Sequence, residues 1–225
     1  MAVAGFHGVR QYLYAALGGI AGVAAEGAAA GTLLWSTTAF APGVVAPTTV
    51  PLPGNRFLQV AGHGSGGALF EVERSPDGVW RAVERRRISR RVFACEQQTP
   101  ILSNGLLYGI MPKDAGSLKQ QLVCYDPYSS ELVWSSGKTT RFGLGPYILA
   151  DEKFYILDDD GTLTMLSCSR DGYEQLAQAK ILDGHDAWGP LAMAGTRMLL
   201  RDSTRMVCID LGEERTRMDE NARRE

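Results

Sequence analysis

Short apolar runs separated by polar turns follow one another along almost the whole chain. In LVCYDPYSSELVW, from Leu122 to Trp134, two apolar runs flank a polar turn, an Asp ends the first run and a Trp ends the second. In the run ALFEVE, apolar residues give way to Glu71 and Glu73 with the alternation typical of a half-buried strand. No helical periodicity is evident before the C-terminal tail. The pattern predicts many short β-strands.

One of these runs recurs at a nearly constant spacing. The steps between its anchor residues are 45, 49, 48 and 44 residues. The anchors are Leu13, Leu58, Leu107, Tyr155 and Leu199. A turn and a second apolar run follow each anchor, and third runs end at Trp35 and Trp134. Five units with a period of about 46 residues and about four strands each are typical of a propeller, whose small sheets bury their faces against one another.

We therefore predict an all-β protein, a β-propeller of four-stranded antiparallel blades. The predicted units lie near residues 9–40, 50–88, 99–141, 146–182 and 190–212, and a charged, solvated tail occupies 213–225. The last unit stops after VCIDLG without a closing strand. We expect a partial propeller of about 4.5 to 5 blades, with a closed five-bladed ring as the alternative. Open blade edges would permit self-association.

Composition and charge exclude some classes of function. The net charge is −2 and charged residues make up 21% of the chain, which gives no sign of a nucleic-acid or membrane-surface binder. The four cysteines stand alone, without the CxxC spacing of metal or redox motifs. They are Cys95, Cys124, Cys168 and Cys208. Their pairing in disulfides stays open at this point.

The segment from Gln11 to Ala30 has two interpretations. Its small apolar residues resemble a signal sequence with a cleavage site near Ala28. The same residues also read as a hairpin in which YLYAAL and IAGVAA flank a Gly-Gly turn. We favour the hairpin because this layout recurs further along the chain. Frequent Gly and the presence of Glu26 argue against a membrane span.

Two glycine-containing turns have a possible functional interpretation. GHGSGG, from Gly62 to Gly67, matches a dinucleotide-binding fingerprint, but a strand pattern follows where a helix is required. DDDG, from Asp158 to Gly161, offers carboxylates for calcium, but the residues after it lack the ligand spacing of a calcium loop. Asp-Gly between two apolar runs is also a strong hairpin signal. We predict a hairpin turn at both places.

For the basic segment and the three histidines we also favour a structural role over a functional one. RAVERRRISRR, from Arg81 to Arg91, could bind an anion, but it is predicted to be an outer edge strand whose charges discourage further pairing. His7, His63 and His185 are far apart in the sequence and are predicted to lie in turns or on the surface. We assign no catalytic, cofactor-binding or metal-binding residue.

The segments LVCYDPYSSELVW, FYILDDDGTLTML and RMLLRDSTRMVCIDLG resemble the repeats of PQQ-like β-propeller proteins. More closely, they are similar to the propeller lipoprotein of the bacterial outer-membrane β-barrel assembly machinery. The likeness runs from about Val9 to Gly212, and it departs from the family pattern at Ser130, where a turn Gly is usual. The vicinal Cys pair typical of quinoprotein dehydrogenases is missing from this sequence, so we expect no PQQ and no other cofactor.

The resemblance implies a non-catalytic scaffold that presents the loops at the top of its blades to a protein or peptide. It also implies a periplasmic or envelope-associated setting and a role in outer-membrane protein assembly. A diverged quinoprotein-like oxidoreductase and a sensor propeller of a larger protein are the alternatives. We expect no nucleic-acid partner and no membrane span.

Overall fold

The computed structural model describes residues 1–184 and 186–212, which form five antiparallel sheets that follow one another along the chain. Each sheet is a meander in which every strand pairs with the next, and we number the sheets as blades 1 to 5. Blades 1 to 4 have four strands each and blade 5 has three. The all-β architecture of four-stranded antiparallel blades is confirmed. The predicted tail, 213–225, lies outside the described residues.

The first two blades contain eight strands. Blade 1 consists of β1 (Ala2–Phe6), β2 (Val9–Ala16), β3 (Gly19–Ala24) and β4 (Leu33–Thr37). Blade 2 consists of β5 (Val50–Leu52), β6 (Arg56–Ala61), β7 (Gly66–Arg74) and β8 (Trp80–Ile88).

The remaining three blades contain eleven strands and one turn of 3-10 helix at Gly116–Leu118. Blade 3 consists of β9 (Ile101–Ser103), β10 (Leu106–Ile110), β11 (Leu122–Asp126) and β12 (Glu131–Ser135). Blade 4 consists of β13 (Tyr147–Ala150), β14 (Lys153–Leu157), β15 (Thr162–Ser167) and β16 (Gln175–Lys180). Blade 5 consists of β17 (Ala192–Ala194), β18 (Arg197–Arg201) and β19 (Met206–Asp210).

Every anchor of the sequence repeat lies in the second strand of its blade. These strands are β2, β6, β10, β14 and β18. The predicted Gly-Gly hairpin is also present, since β2 and β3 pair from Gln11 opposite Ala24 to Ala16 opposite Gly19. The interpretation of this segment as a hairpin is confirmed.

Blade 1 includes a strand that lies ahead of the predicted start of the first unit near residue 9. The strand β1 pairs with β2 through a tight turn at His7 and Gly8, both in the left-handed region with φ of 47° and 75°. Its sequence, AVAGF, is rich in Ala and Gly, which are weak strand formers. The pairing with β2 and the burial of Phe6 hold it in the sheet.

The hydrophobic core consists of four clusters, each between two consecutive blades. Between blades 1 and 2, Phe57 stacks on Phe70 and on Trp35, with ring centroids 4.9 and 5.4 Å apart. Within the described residues, no cluster joins blade 5 to blade 1, and Tyr14 and Leu199 on the outer faces of these blades are exposed. This succession fits a partial propeller and not the closed five-bladed ring.

All four complete blades share a β-bulge between their third and fourth strands. The register shifts at Gly22/Val23, Leu69/Phe70, Cys124/Tyr125 and Met165/Leu166. A bulge adds local twist to a strand pair. The repeated bulge therefore gives the outer part of each blade the same extra twist.

The segment from Leu122 to Trp134 is one structural unit of this repeat. Asp126 closes the turn between β11 and β12, because its Oδ1 accepts hydrogen bonds from the backbone N–H groups of Tyr128 (2.8 Å) and Ser129 (3.2 Å). Trp134 donates its Nε1–H to the carbonyl of Ser169 in blade 4 (3.0 Å). The Asp therefore shapes a turn, and the Trp ties blade 3 to blade 4.

Candidate functional site

The two ends of the blades differ in their loops. At one end, turns of two or three residues join the first strand of each blade to the second. At the other end, four longer segments lead from each blade to the next. These segments are residues 38–49, 89–100, 136–146 and 181–191, of which 185 is outside the described residues. We call this end, together with the turns between second and third strands, the connection face.

Asp159 holds two of these connections in place. Its Oδ1 accepts hydrogen bonds from the backbone N–H of Leu144 (2.7 Å) and from Nε1–H of Trp188 (2.9 Å). Leu144 belongs to the connection that enters blade 4, and Trp188 belongs to the connection that leaves it. One carboxylate in a turn of blade 4 therefore fixes the loops on both sides of that blade.

A second polar group joins blades 2 and 3 at the same end. The carboxylate of Glu96 lies 3.7 Å from His63 Nε2 and accepts a hydrogen bond from the backbone N–H of Lys113 (3.2 Å). Arg90 lies 3.4 Å from a carboxylate oxygen of Asp114. These contacts link the connection between blades 2 and 3 to neighbouring turns.

Three connections each expose a large apolar side chain. These are Val44, Val92 and Trp188. Interface hot spots are enriched in Trp, Tyr and Arg, so Trp188 is the main anchor and the two valines add apolar contact area. The sequence marks Trp188 as a residue between two units, but Val44 and Val92 carry no sequence signal, because only the fold shows that they are exposed at the same end as Trp188.

Both glycine-containing turns form the predicted hairpins. GHGSGG leads into strand β7, and a Cβ atom on Gly62 would lie only 2.5 Å from Cγ of Glu96, so the glycine permits close packing. In DDDG, Asp158 Oδ1 accepts hydrogen bonds from the backbone N–H of Asp160 (3.0 Å) and Thr162 (2.8 Å). Partial burial raises the pKa of Asp158 above its ordinary value, although these backbone hydrogen bonds act in the opposite direction.

The basic segment forms the outer strand of blade 2, as predicted, and several of its arginines make contacts within the protein. Arg85 pairs with Glu71 and Glu73 on the neighbouring strand. Arg86 donates to the carbonyl of Pro127 in blade 3 (3.2 Å), and Arg87 pairs with Glu84. Arg85 and Arg87 are therefore paired within blade 2, and Arg86 links blade 2 to blade 3.

The histidines that the structure describes lie at opposite ends of the blades. His7 is in the turn between β1 and β2, where its Nε2 lies 2.7 Å from the carbonyl oxygen of Val72. His63 is on the connection face, and His185 lies outside the described residues. The structure does not bring His7 and His63 together.

All four cysteines are free, which answers the question of disulfides that the sequence leaves open. Burial raises the pKa of Cys95 to about 12 and that of Cys124 to about 11. Thiols with such pKa values are poor nucleophiles at neutral pH, because the thiolate is the reactive form. These two side chains act as small apolar core residues.

Residues 1–184 and 186–212 show neither a metal cluster nor a membrane-spanning helix. In this part of the chain, no group of three or more His, Cys, Asp or Glu side chains is placed to hold a metal ion. Nor does it contain a helix long and apolar enough to span a membrane.

Comparison with known proteins identifies the fold. No family model matches the chain, and no curated protein matches its sequence. Among solved structures, BamB from Moraxella catarrhalis is similar over 95% of this chain, with a TM-score of 0.57 and 12% identity. Sqt1 from Saccharomyces cerevisiae is similar over 92% of this chain, with a TM-score of 0.58 and 14% identity. The chain has a β-propeller fold.

A third propeller, apo AztD from Citrobacter koseri, is similar over 94% of this chain, with a TM-score of 0.51 and 12% identity. The propeller architecture expected from the sequence resemblance is thereby confirmed. The chain spans 58% of the length of the BamB and Sqt1 chains and 69% of the AztD chain. At these identities the similarity concerns the fold alone.

Proposed function

We propose that this protein is a non-catalytic β-propeller scaffold that binds a protein or peptide through its connection face. The observation that carries this proposal is the combination of fixed loops and exposed apolar anchors at one end of the blades. Asp159 and Glu96 hold the loop backbones, while Val44, Val92 and Trp188 extend into solvent. A pre-organised surface loses little conformational entropy when it binds a partner.

The chemistry of the face also favours recognition over catalysis. Asp158 and Asp159 each accept two N–H hydrogen bonds at Oδ1, which gives both carboxylates a structural role in holding turns and loops. A general acid or base must instead reach a proton of the substrate. We accordingly propose that the protein is not an enzyme.

The cellular role that we propose is supported by the resemblance in sequence. The repeats resemble the propeller lipoprotein of the outer-membrane assembly machinery, and BamB is among the solved structures with a similar fold. We propose an envelope-associated role in which the connection face binds a component of membrane-protein assembly. A periplasmic location is part of this proposal.

Site-specific photocrosslinking in cells tests the proposal. A photoreactive amino acid at position 188 or 92 should crosslink to a discrete partner protein. Tyr128 provides a matched control, because it is 40% exposed, close to the 38% of Trp188, but lies in a turn at the opposite end. Crosslinks that are absent at positions 188 and 92, or equally strong at 128, would contradict the proposal.

A ligand titration tests the non-catalytic part separately. PQQ with calcium should leave the absorbance of the cofactor and the melting temperature of the protein unchanged. A saturable rise in melting temperature would show a cofactor site and contradict this part, because a ligand that binds the native state stabilises it.

A further inference from the structure

Among the described residues, the last strand of blade 5 has one unpaired edge. In blades 1 to 4, the third strand pairs with a fourth strand, whereas β19 pairs only with β18 among the described residues. An unpaired edge presents backbone N–H and C=O groups that can pair with another strand.

The hydrogen bonds of blade 5 show which groups face this edge. Leu211 N–H donates to the carbonyl of Thr196, and Asp202 N–H donates to the carbonyl of Arg205. In an antiparallel pair, alternate residues point their backbone groups to the same side. The backbone N–H and C=O groups of Val207 and Ile209 therefore point toward β18, and those of residues 206, 208 and 210 point outward.

These outward-facing residues are symmetric about Cys208. If a second copy of β19 pairs antiparallel with the first, Cys208 lies opposite Cys208 of the second copy and Met206 lies opposite its Asp210. Every outward-facing backbone group within β19 then finds a partner across a two-fold axis, the commonest symmetry of soluble oligomers. The pairing places no two like charges directly opposite each other.

The side chains on the exposed face of blade 5 fit the same arrangement. Ala192, Leu199 and Cys208 lie opposite one another on the three strands and form an apolar row, with Leu199 and Cys208 exposed. A groove of about 600 Å³ runs along this face. Two-fold pairing would extend the row across both copies into one six-stranded sheet.

This edge also lacks the charges that the outer strand of blade 2 carries. The outer strand of blade 2, WRAVERRRI, carries charged side chains along its length, whereas β19, MVCID, has a single acidic residue at its end. Charged residues on an edge strand are a common protection against association. The last strand of blade 5 therefore lacks this protection.

We propose that β19 is a self-association edge, at which two copies of this chain pair through Met206 to Asp210 into a two-fold symmetric dimer. The edge lies outside the connection face, so the proposal is independent of the proposed function.

The experiment measures the mass of the full chain in solution by analytical ultracentrifugation over a wide range of concentrations. The wild type should form a dimer. The substitution Cys208→Lys should raise the Kd by about tenfold or more, because it places two lysines opposite each other at the two-fold axis. Leu33→Lys is the matched control, since it adds the same charge at an exposed apolar position on the outer face of blade 1 and should leave the Kd unchanged.

Disulfide trapping tests the register. Diamide oxidises two thiols to a disulfide and is itself reduced to the hydrazine, taking up two protons and two electrons. It should convert the wild-type dimer into a covalent dimer, because residues directly opposite in a hydrogen-bonded antiparallel pair have Cα atoms about 5.5 Å apart, within the range of disulfides. Cys208→Ser should lose the covalent bond and keep the dimer.

Three results would overturn the proposal. One is a chain that is monomeric at every concentration. Another is a dimer that is lost in Leu33→Lys but kept in Cys208→Lys, which would indicate packing of blade 1 against blade 5 of a second copy. The third is a covalent dimer that persists in Cys208→Ser. Circular dichroism of each variant checks that the blades remain folded.

Discussion

Trp35 and Gln11 form a hydrogen bond inside blade 1, in which the indole Nε1–H donates to Oε1 of the amide at 2.8 Å. Both side chains are buried, and the indole ring covers Gly22, where a Cβ atom would lie 2.3 Å from the ring. The same Trp stacks on Phe57 of blade 2. Trp35, at the centre of β4, therefore has three roles: its ring packs over Gly22 of its own sheet, its N–H satisfies a buried amide oxygen, and it stacks against the next blade.

A double-mutant cycle on this pair should show strong coupling. Trp35→Phe leaves the buried amide of Gln11 without a partner and should cost about 2–4 kcal/mol of unfolding free energy. Gln11→Leu leaves the indole N–H unpaired and should cost about 1–3 kcal/mol. The double variant should lose less than the sum of the two, as measured by urea denaturation. Additive losses would contradict the hydrogen bond.

Removal of the Asp159 carboxylate should loosen the connections on both sides of blade 4. Asp159→Ala leaves the Leu144 N–H and the Trp188 indole without their acceptor, at a cost of about 1–3 kcal/mol. Hydrogen exchange should rise in residues 142–146 and 186–191 together. Asp159→Asn is the control, because its amide oxygen can still accept, and exchange there should stay close to wild type. A rise confined to one connection would contradict the double role.

A glycine at position 152 should stabilise the protein. Asp151 and Glu152 form the turn between β13 and β14 with φ of 47° and 58°, a region that favours Gly. Glu152→Gly should raise the free energy of unfolding by about 0.5–1 kcal/mol, because it relieves the backbone strain. Glu131→Gly is the control, because it places a glycine at an exposed position within β12, where it should lower the free energy of unfolding. Equal effects of the two substitutions would show that backbone conformation is not the cause.

Two aspartates should respond to pH in opposite directions. Burial acts to raise the pKa of Asp126, but the backbone N–H groups of Tyr128 and Ser129 outweigh it and lower the pKa below its ordinary value. Its contribution is therefore present above the pKa of the unfolded chain and is lost as the pH falls through the folded-state value. Burial raises the pKa of Asp158, so ionising this group costs stability as the pH rises through the ordinary carboxyl range.

Urea denaturation of two variants at acidic and neutral pH separates these effects. Asp126→Asn should be less stable than wild type at neutral pH and approach it in acid. Asp158→Asn keeps an oxygen acceptor without a charge, so it should gain on wild type as the pH rises from acid to neutral. Parallel pH profiles for both variants would contradict the assigned pKa directions.

The sequence predicts the repeat well, because its signals are local. The anchors fall on second strands, and Asp-Gly and Gly-Gly sequences form hairpins, since apolar alternation and turn residues act within a few positions. The sequence does not predict to which side of its sheet each anchor side chain points. Leu58 and Leu107 lie in one cluster, where blade 2 packs against blade 3, although they are the anchors of different blades.

The reason is the position of each anchor within its second strand. Leu58 is the third residue of β6, whereas Leu107 is the second residue of β10. A difference of one residue turns a strand's side chains to the opposite face. Contacts such as those of Asp159 with Trp188 also escape sequence analysis, because they join residues from separate units.

The central claim is that the five blades pack only in succession and leave blades 1 and 5 apart. Spin labels on Tyr14→Cys and Leu199→Cys, with Cys168 and Cys208 replaced by Ser, measure this separation through their dipolar coupling, by line broadening in continuous-wave spectra at short distances and by double electron–electron resonance at longer ones. Dilution with unlabelled protein removes distances between copies. We predict a separation above about 20 Å, twice the ~10 Å between packed sheets. A separation near 10 Å would mean that blade 5 packs against blade 1 in a closed ring, and would contradict the account.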